Sequence, residues 1–129
     1  MPKVTQLVLS IQNKPGVLAS VAKILGDAGV NIEGLCAPEV PGRGKLRLLV
    51  SDPAKAETAL REAKIRASKE EAITVALENH PGAMAAAAQK LAGAKVNIRC
   101  AYATTAGPGQ ATAVLTVSNI PKALAALGG

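Results

Sequence analysis

The 129-residue chain has a net charge of +6, is 49% hydrophobic and contains one aromatic residue, Tyr102. This composition excludes a disordered chain, and it requires a core built from aliphatic side chains. No apolar run reaches the roughly 18 residues of a membrane-spanning helix and no signal-peptide h-region is visible, so we expect a cytoplasmic protein.

The first elements in chain order are a strand, a helix and a second strand. Alternating apolar residues predict a strand over residues 5–12. Asn13 is a candidate cap for a helix of about fourteen residues, with Pro15 at its first position and its end at Gly29. Alternation over residues 30–37 then predicts the second strand.

The next elements complete a βαββαβ order. Residues 38–44 are rich in Gly and Pro and predict a hairpin loop, and residues 45–51 alternate as a third strand. Asp52 is the expected cap of a second helix that ends near Ala63. Residues 65–68 can form the fourth strand, and a charged link then leads into the second half of the chain.

The second half repeats this order without its last strand. Residues 13–32 align without a gap to 79–98 with ten of twenty positions identical, and residues 46–60 align to 113–127 with seven of fifteen identical. We therefore expect two ferredoxin-like βαββαβ repeats, residues 1–70 and 71–129, packed side by side into one sheet. The predicted strands of the second repeat are 72–78, 96–103 and 111–118, its second loop is 104–110, and Asn119 caps a last helix ending near Leu127.

One motif occurs in both repeats at the end of the first strand. Asn13-Lys14-Pro15-Gly16-Val17-Leu18 precedes the first helix, and Gly29-Val30-Asn31-Ile32 follows it. The second copy reads Asn79-His80-Pro81-Gly82-Ala83-Met84 and Lys95-Val96-Asn97-Ile98. The pair resembles the signature of ACT domains, and the resemblance covers nearly the whole chain.

The resemblance implies a regulator or sensor without an attached enzyme. ACT domains are small ligand-binding modules of amino-acid metabolism that pair side by side and bind a small molecule where the first loop of one domain meets its neighbour. The resemblance therefore implies an amino-acid ligand, allosteric action, a homodimer and a possible metabolic enzyme as partner.

The chemistry of the motif suits a zwitterion. Unpaired N–H groups at the helix start near Gly16 can hold a carboxylate, and the amide of Asn31 can accept a hydrogen bond from an ammonium group. The ACT-domain motif, carried over position by position onto this chain, implies the ligand-binding residues. Those of the first repeat are Asn13, Lys14, Gly16, Val17, Leu18, Asn31 and Ile32. Those of the second are Asn79, His80, Gly82, Ala83, Met84, Asn97 and Ile98. The same turn chemistry also occurs in purely structural turns.

Other classes of function receive less support from the residues. A single histidine and no clustered carboxylates argue against an enzyme. The basic balance permits nucleic-acid binding, but only Tyr102 could stack on a base, so we expect none. Cys36 and Cys100 form no C-x-x-C pair and predict neither a disulfide nor a metal site, and we expect no cofactor. The main alternative is a non-catalytic interaction module or regulatory subunit that docks on a metabolic enzyme.

Overall fold

Six strands and four helices make up the part of the chain that the computed structural model describes, residues 3–38, 40–105 and 109–128. In chain order they are β1 (Lys3–Gln12), α1 (Val17–Asp27), β2 (Ile32–Cys36), β3 (Arg43–Val50), α2 (Pro53–Glu62), β4 (Ala67–Glu78), α3 (Ala83–Gly93), β5 (Ile98–Thr105), β6 (Gln110–Val117) and α4 (Ile120–Ala126). The predicted element types are confirmed. Residues 106–108 of the predicted loop 104–110 lie outside the described residues.

The chain divides into two compact units. The first unit is Thr5–Glu70, and the second comprises Glu71–Gly129 together with Met1–Val4. The long strands β1 and β4 therefore each contribute residues to both units. The assignment of residues 1–70 and 71–129 as two ACT-like domains stays a prediction.

The first unit is a ferredoxin-like layer of helices on an antiparallel sheet. Its strand order is β2-β3-β1-β4, with Leu7 opposite Leu48 and Gln12 opposite Arg43 in the β1–β3 pair. The helices α1 and α2 pack on one face, because apolar residues at helical spacing meet the alternate residues of the strands. The core that results is wholly aliphatic: Leu7, Leu9, Val21, Leu25, Val30, Leu46, Leu48, Val50, Ala56 and Leu60.

The second unit repeats this plan with smaller side chains. Its core contains Ala87 and Ala113 at the positions that Val21 and Leu46 occupy in the first. The strand order is β1-β4-β6-β5, so the first residues of β1 fill the sheet position for which the second repeat has no strand of its own. The Lys3 Nζ atom lies 3.3 Å from Glu71 Oε1 at this place.

The strand β4 is longer than the sequence suggests. We expected separate strands at 65–68 and 72–78 with a charged link, and the structure forms one twelve-residue strand. No Gly or Pro interrupts this stretch, and the charged residues of the supposed link have partners. Glu70 Oε1 accepts hydrogen bonds from Gln6 Nε2 (2.9 Å) and Arg47 Nε (3.0 Å). Because Glu70 and Glu71 both have cationic or amide partners, the charged residues can be accommodated within one continuous strand.

The capping predictions for α2 and α4 are confirmed. The Asp52 side chain accepts a hydrogen bond from the Lys55 N–H at 3.1 Å, and the Asn119 side chain accepts one from the Lys122 N–H at 3.0 Å. Each cap satisfies one of the backbone donors that a helix start leaves without a helical partner.

Two further expectations concern the cysteines and the membrane. Cys36 and Cys100 are not joined by a disulfide, and both are half-buried. In the described part of the chain, no group of His, Cys, Asp and Glu is placed to hold a metal ion. No helix among the described residues is long and apolar enough to cross a membrane.

Candidate ligand-binding site

The turn between β1 and α1 differs from the predicted helix start. The helix begins at Val17, so Pro15 lies in the turn before it, and Gly16 is the N-cap residue with a left-handed backbone (φ 88°). No side chain caps the helix, which has 11 residues rather than about fourteen. The second copy is the same, with Gly82 at φ 90° before Ala83. Glycine suits both positions because other residues are strained in this conformation.

The start of α1 presents donors that the helix does not use. The Val17 N–H donates to the Lys14 carbonyl at 3.4 Å, and the helical ladder begins with the Ser20 N–H donating to the Gly16 carbonyl at 3.0 Å. The N–H groups of Leu18 and Ala19 precede that ladder and have no helical acceptor. An anionic group can bind there favourably.

Asn13 holds the turn in place instead of capping the helix. Its backbone N–H donates to the Gly42 carbonyl at 2.7 Å, and its side-chain Nδ2 donates to the Val40 carbonyl at 3.2 Å. The Asn79 N–H makes the corresponding bond to the Gly109 carbonyl at 3.0 Å. The predicted role of Asn13 as a helix cap is therefore wrong.

The second part of the motif lies at the other end of each unit. Gln12 is opposite Arg43, and Ile32 is opposite Val50, seven residues further along β3. That spacing corresponds to about 23 Å along a strand. A single amino acid bound within one unit therefore contacts either the turn at Gly16 or the residues at Asn31, and cannot contact both.

The backbones of Asn31 and Asn97 are held by serine residues. The Asn31 N–H donates to Ser51 Oγ at 2.9 Å and its carbonyl accepts from the Ser51 N–H at 2.9 Å. Asn97 makes the same two bonds with Ser118, at 3.0 and 2.9 Å. The side chains of both asparagines are exposed, whereas Ile32 and Ile98 pack against the two cores.

The remaining motif residues are on the first turns of α1 and α3. Val17 and Ala83 are half-buried, while the Leu18 and Met84 side chains are 40% and 37% exposed. Leu18 also lines a small pocket of about 230 Å³ with Asn13, Lys14 and Val17. The structure thus brings together the residues of the turn and leaves the Asn31 group apart from them.

A larger open groove of about 920 Å³ borders the same turn in the first unit. It is lined by the end of β1, the start of α1, the start of β3 and the segment that leads into β4. Four of its lining residues are basic, and none of the described lining residues is Asp or Glu. We call this the basic groove, after its residues Lys14, Arg43, Lys64 and Arg66.

Sequence reasoning did not find most of this groove. Arg43 lies in the predicted hairpin loop 38–44 and is not among the predicted ligand-binding residues, and neither Lys64 nor Arg66 belongs to a motif. No local signal identifies them, because they meet only when the sheet brings the start of β3 and the start of β4 to the end of β1.

In the second unit, the turn carries a charge that depends on pH. His80 follows Asn79 where Lys14 follows Asn13. Its Nδ1 atom lies 2.9 Å from the Pro81 carbonyl oxygen and its Nε2 atom 3.1 Å from Glu78 Oε2. The Pro81 carbonyl first, and then the Glu78 carboxylate, raise the pKa of His80 above its ordinary value of 6.5. The imidazolium form donates to both acceptors.

We expect the proton resonances of the His80 ring to titrate with a midpoint above 6.5. Because the folded-state pKa is raised, the stabilising effect of protonation is fully present below the unfolded-state pKa and is lost as the pH rises through the folded-state pKa. An NMR titration measures the midpoint directly. Glu78→Gln should lower the pKa without removing the contribution of the Pro81 carbonyl, and a wild-type midpoint at or below 6.5 would contradict the assignment.

Comparison with known proteins identifies the architecture. Residues 2–125 match the sequence pattern of a family described as an ACT domain pair. The chain is 30% identical to protein BT0572 of Bacteroides thetaiotaomicron, whose crystal structure it resembles with a TM-score of 0.91, over 97% of this chain and 86% of that one. No curated protein matches the sequence.

More distant solved structures share the fold. The regulatory subunit of aspartate kinase from Thermus thermophilus, in a ligand-free form, has a TM-score of 0.71 at 19% identity, covering 98% of this chain and 93% of that subunit. Aspartokinase III of E. coli, in complex with aspartate and ADP, has a TM-score of 0.60 at 19% identity, over 88% of this chain and 28% of the enzyme.

Proposed function

Because the chain belongs to the family of ACT domain pairs, we propose that it is a non-catalytic regulatory protein that binds a small amino acid at the turn between β1 and α1. The observation that carries the proposal is the groove at this turn in the first unit. Gly16 has no neighbouring atom within 4 Å of the place where a Cβ would be, so a ligand can reach the backbone there.

The ligand's carboxylate is the group that this turn can hold. The Leu18 and Ala19 N–H groups precede the helical hydrogen bonds, and the positive end of the α1 dipole lies beside them. Lys14 adds a positive charge to the same wall of the groove. The likeness in fold to a regulatory subunit of aspartate kinase supports a regulatory role in amino-acid metabolism.

Regulation then requires that the ligand favour one arrangement of the protein over another. A ligand shifts such an equilibrium only by its difference in affinity for the two states, and couplings of about 1–3 kcal/mol are typical. The output would pass to a metabolic enzyme, and the active form would be a homodimer.

A thermal-shift screen against the twenty amino acids tests this function. At ten times its dissociation constant, a ligand that binds only the folded protein adds about 1.4 kcal/mol to the free energy of unfolding. We expect one or a few amino acids to raise the melting temperature. If none does so at millimolar concentration, amino-acid binding is wrong.

Gly16→Asp locates the binding site. We expect the new carboxylate to repel the ligand's carboxylate and to weaken binding about tenfold or more. Gly16→Asn is the matched control, because Asn has nearly the same shape, carries no charge and tolerates the left-handed backbone. Equal affinities of the Asp and Asn variants would contradict binding at this turn.

The alternative function is docking on an enzyme without a ligand. The observation that favours it is the exposure of two large apolar side chains, Leu18 on α1 (40%) and Leu35 on the edge strand β2 (43%). Docking on a partner protein would remove this apolar surface from water, which is favourable. A negative amino-acid screen together with co-purification of an enzyme would support this function.

A further inference from the structure

All the charged residues that line the basic groove of the first unit are positive. Lys14 and Arg43 contribute from the end of β1 and the start of β3, and Lys64 and Arg66 contribute from the segment that leads into β4. Among the described residues, none of the four side chains forms an ion pair with a carboxylate. A cleft lined by charges of one sign concentrates their field and attracts ligands of the opposite sign.

The groove also offers hydroxyl groups and one oriented guanidinium. Ser10, Ser20 and Ser68 line it, and the Ser68 Oγ already donates to the Val8 carbonyl at 3.3 Å. Arg43 is held in place, because its Nε donates to Ser10 Oγ at 3.1 Å and its Nη2 to the Ser10 carbonyl at 3.3 Å. A fixed guanidinium loses less entropy when it binds an acidic group than a freely moving one.

The second repeat provides an internal comparison. At the positions that correspond to Ser10, Gln12, Lys14 and Ser20, it has Ala76, Glu78, His80 and Ala86. Its cavity beside α3 is smaller, about 360 Å³, and contains the Glu78 carboxylate. The duplicated turn geometry is therefore shared by both repeats, whereas the four cations and the three serines belong only to the first. The cavity of the second repeat is lined instead by His80, Lys90 and Glu78. The shape of the turn alone does not require the four cations or the three serines.

We propose that the basic groove binds a small molecule with two acidic groups, one held by Lys14 and Arg43 and the other by Lys64 and Arg66. This inference rests on the proposed function, since it specifies which class of ligand that site selects. A ligand with one carboxylate and one ammonium group has no net charge, and four cations would repel its ammonium. A second acidic group gives the ligand a net negative charge, which the four cations attract.

Lys64 permits a test that leaves the fold intact. Its backbone is left-handed (φ 64°) at the end of α2, and Lys95 is left-handed (φ 61°) at the end of α3. Gly29 and Gly128 have the same conformation after α1 and α4. Glycine therefore suits positions 64 and 95, and Lys64→Gly and Lys95→Gly remove one positive charge each without backbone strain. Only Lys64 lines the groove.

The experiment is isothermal titration calorimetry of the full chain with L-aspartate, succinate and O-phospho-L-serine as ligands with two acidic groups. L-Alanine and L-lysine serve as control ligands with one acidic group. We expect binding of at least one of the first three that weakens about threefold or more in Lys64→Gly and about tenfold in Arg66→Gln. In Lys95→Gly the affinity should change by less than about twofold. Among the ligands with two acidic groups, L-aspartate represents an amino acid with two carboxylates, succinate a dicarboxylate without an ammonium group, and O-phospho-L-serine a phosphorylated amino acid.

Two results would overturn the inference in different ways. If L-alanine or L-lysine binds as tightly as the diacids, or if Lys64→Gly and Lys95→Gly bind alike, the selection of two acidic groups is wrong while ligand binding stands. If none of the five molecules binds and the screen of twenty amino acids is also negative, the proposed function fails together with the inference.

Discussion

Leu48→Ala is expected to lower the free energy of unfolding by about 2–5 kcal/mol. Leu48 is completely buried in the middle of β3, where it lies opposite Leu7 in the core of the first unit. Because this core contains no aromatic side chain, no large neighbour is available to fill the cavity that the substitution leaves. The loss is a large part of the total stability of a typical small protein, about 5–15 kcal/mol. Urea denaturation followed by circular dichroism measures it.

Leu48→Met is the control for this prediction. Methionine nearly conserves the volume of leucine and fills irregular gaps, so we expect a loss below about 1.5 kcal/mol. Leu115 occupies the corresponding position in the second core and is also completely buried, so Leu115→Ala should lose stability in the same range. If Leu48→Ala proves no more destabilising than Leu48→Met, the packing described for β3 is wrong.

Gly44→Ala is expected to destabilise the protein by about 1–3 kcal/mol. Gly44 is in β3 opposite Ile11, and a methyl group there would collide with a methyl group of Val40. Valine is rigid at its first side-chain torsion, so either the strand or the loop that carries Val40 must move. Both residues line the small pocket beside the turn, and its shape would change with them.

A double-mutant cycle separates this collision from other effects. In a Val40→Ala background the obstructing methyl group is gone, and Gly44→Ala should then be neutral or slightly stabilising, because alanine restricts the unfolded chain. Gly26→Ala in α1 is a second control: no atom lies within 4 Å of the new Cβ, and the change should stabilise the helix by about 0.5–1 kcal/mol. A loss of stability that persists in the Val40→Ala background would refute the steric explanation.

The predictions from sequence succeeded where hydrogen bonds are local. Asp52 and Asn119 cap their helices through donors three residues away, so residue type and spacing suffice to identify them. The same reasoning failed for Asn13, whose side chain donates to Val40, 27 residues away. A nearby helix start gave no indication that a distant carbonyl would compete for this amide.

The candidate site was predicted only in part for a related reason. The motif located the loop between the first strand and the first helix, because residue types within a few positions signal it. It placed Pro15 and Gly16 inside the helix, whereas Gly16 is the left-handed N-cap residue before it. The motif could not show that Asn31 lies at the opposite end of the unit, since this follows from the register of β2 and β3. It also could not identify Lys64 and Arg66, which reach the groove through the course of the chain after α2.

The sequence by itself therefore determined the duplication, the ferredoxin-like order of elements and the place of the loop between the first strand and the first helix of each repeat. Those features depend on internal identity, on hydrophobic period and on contacts within a few residues. Only the tertiary structure decided that β4 is one strand, that the first residues of β1 complete the second unit, and that four cations share one groove. The physical reason is that strand pairing joins residues far apart in the chain, and register, unlike hydrophobic period, is a property of two segments together.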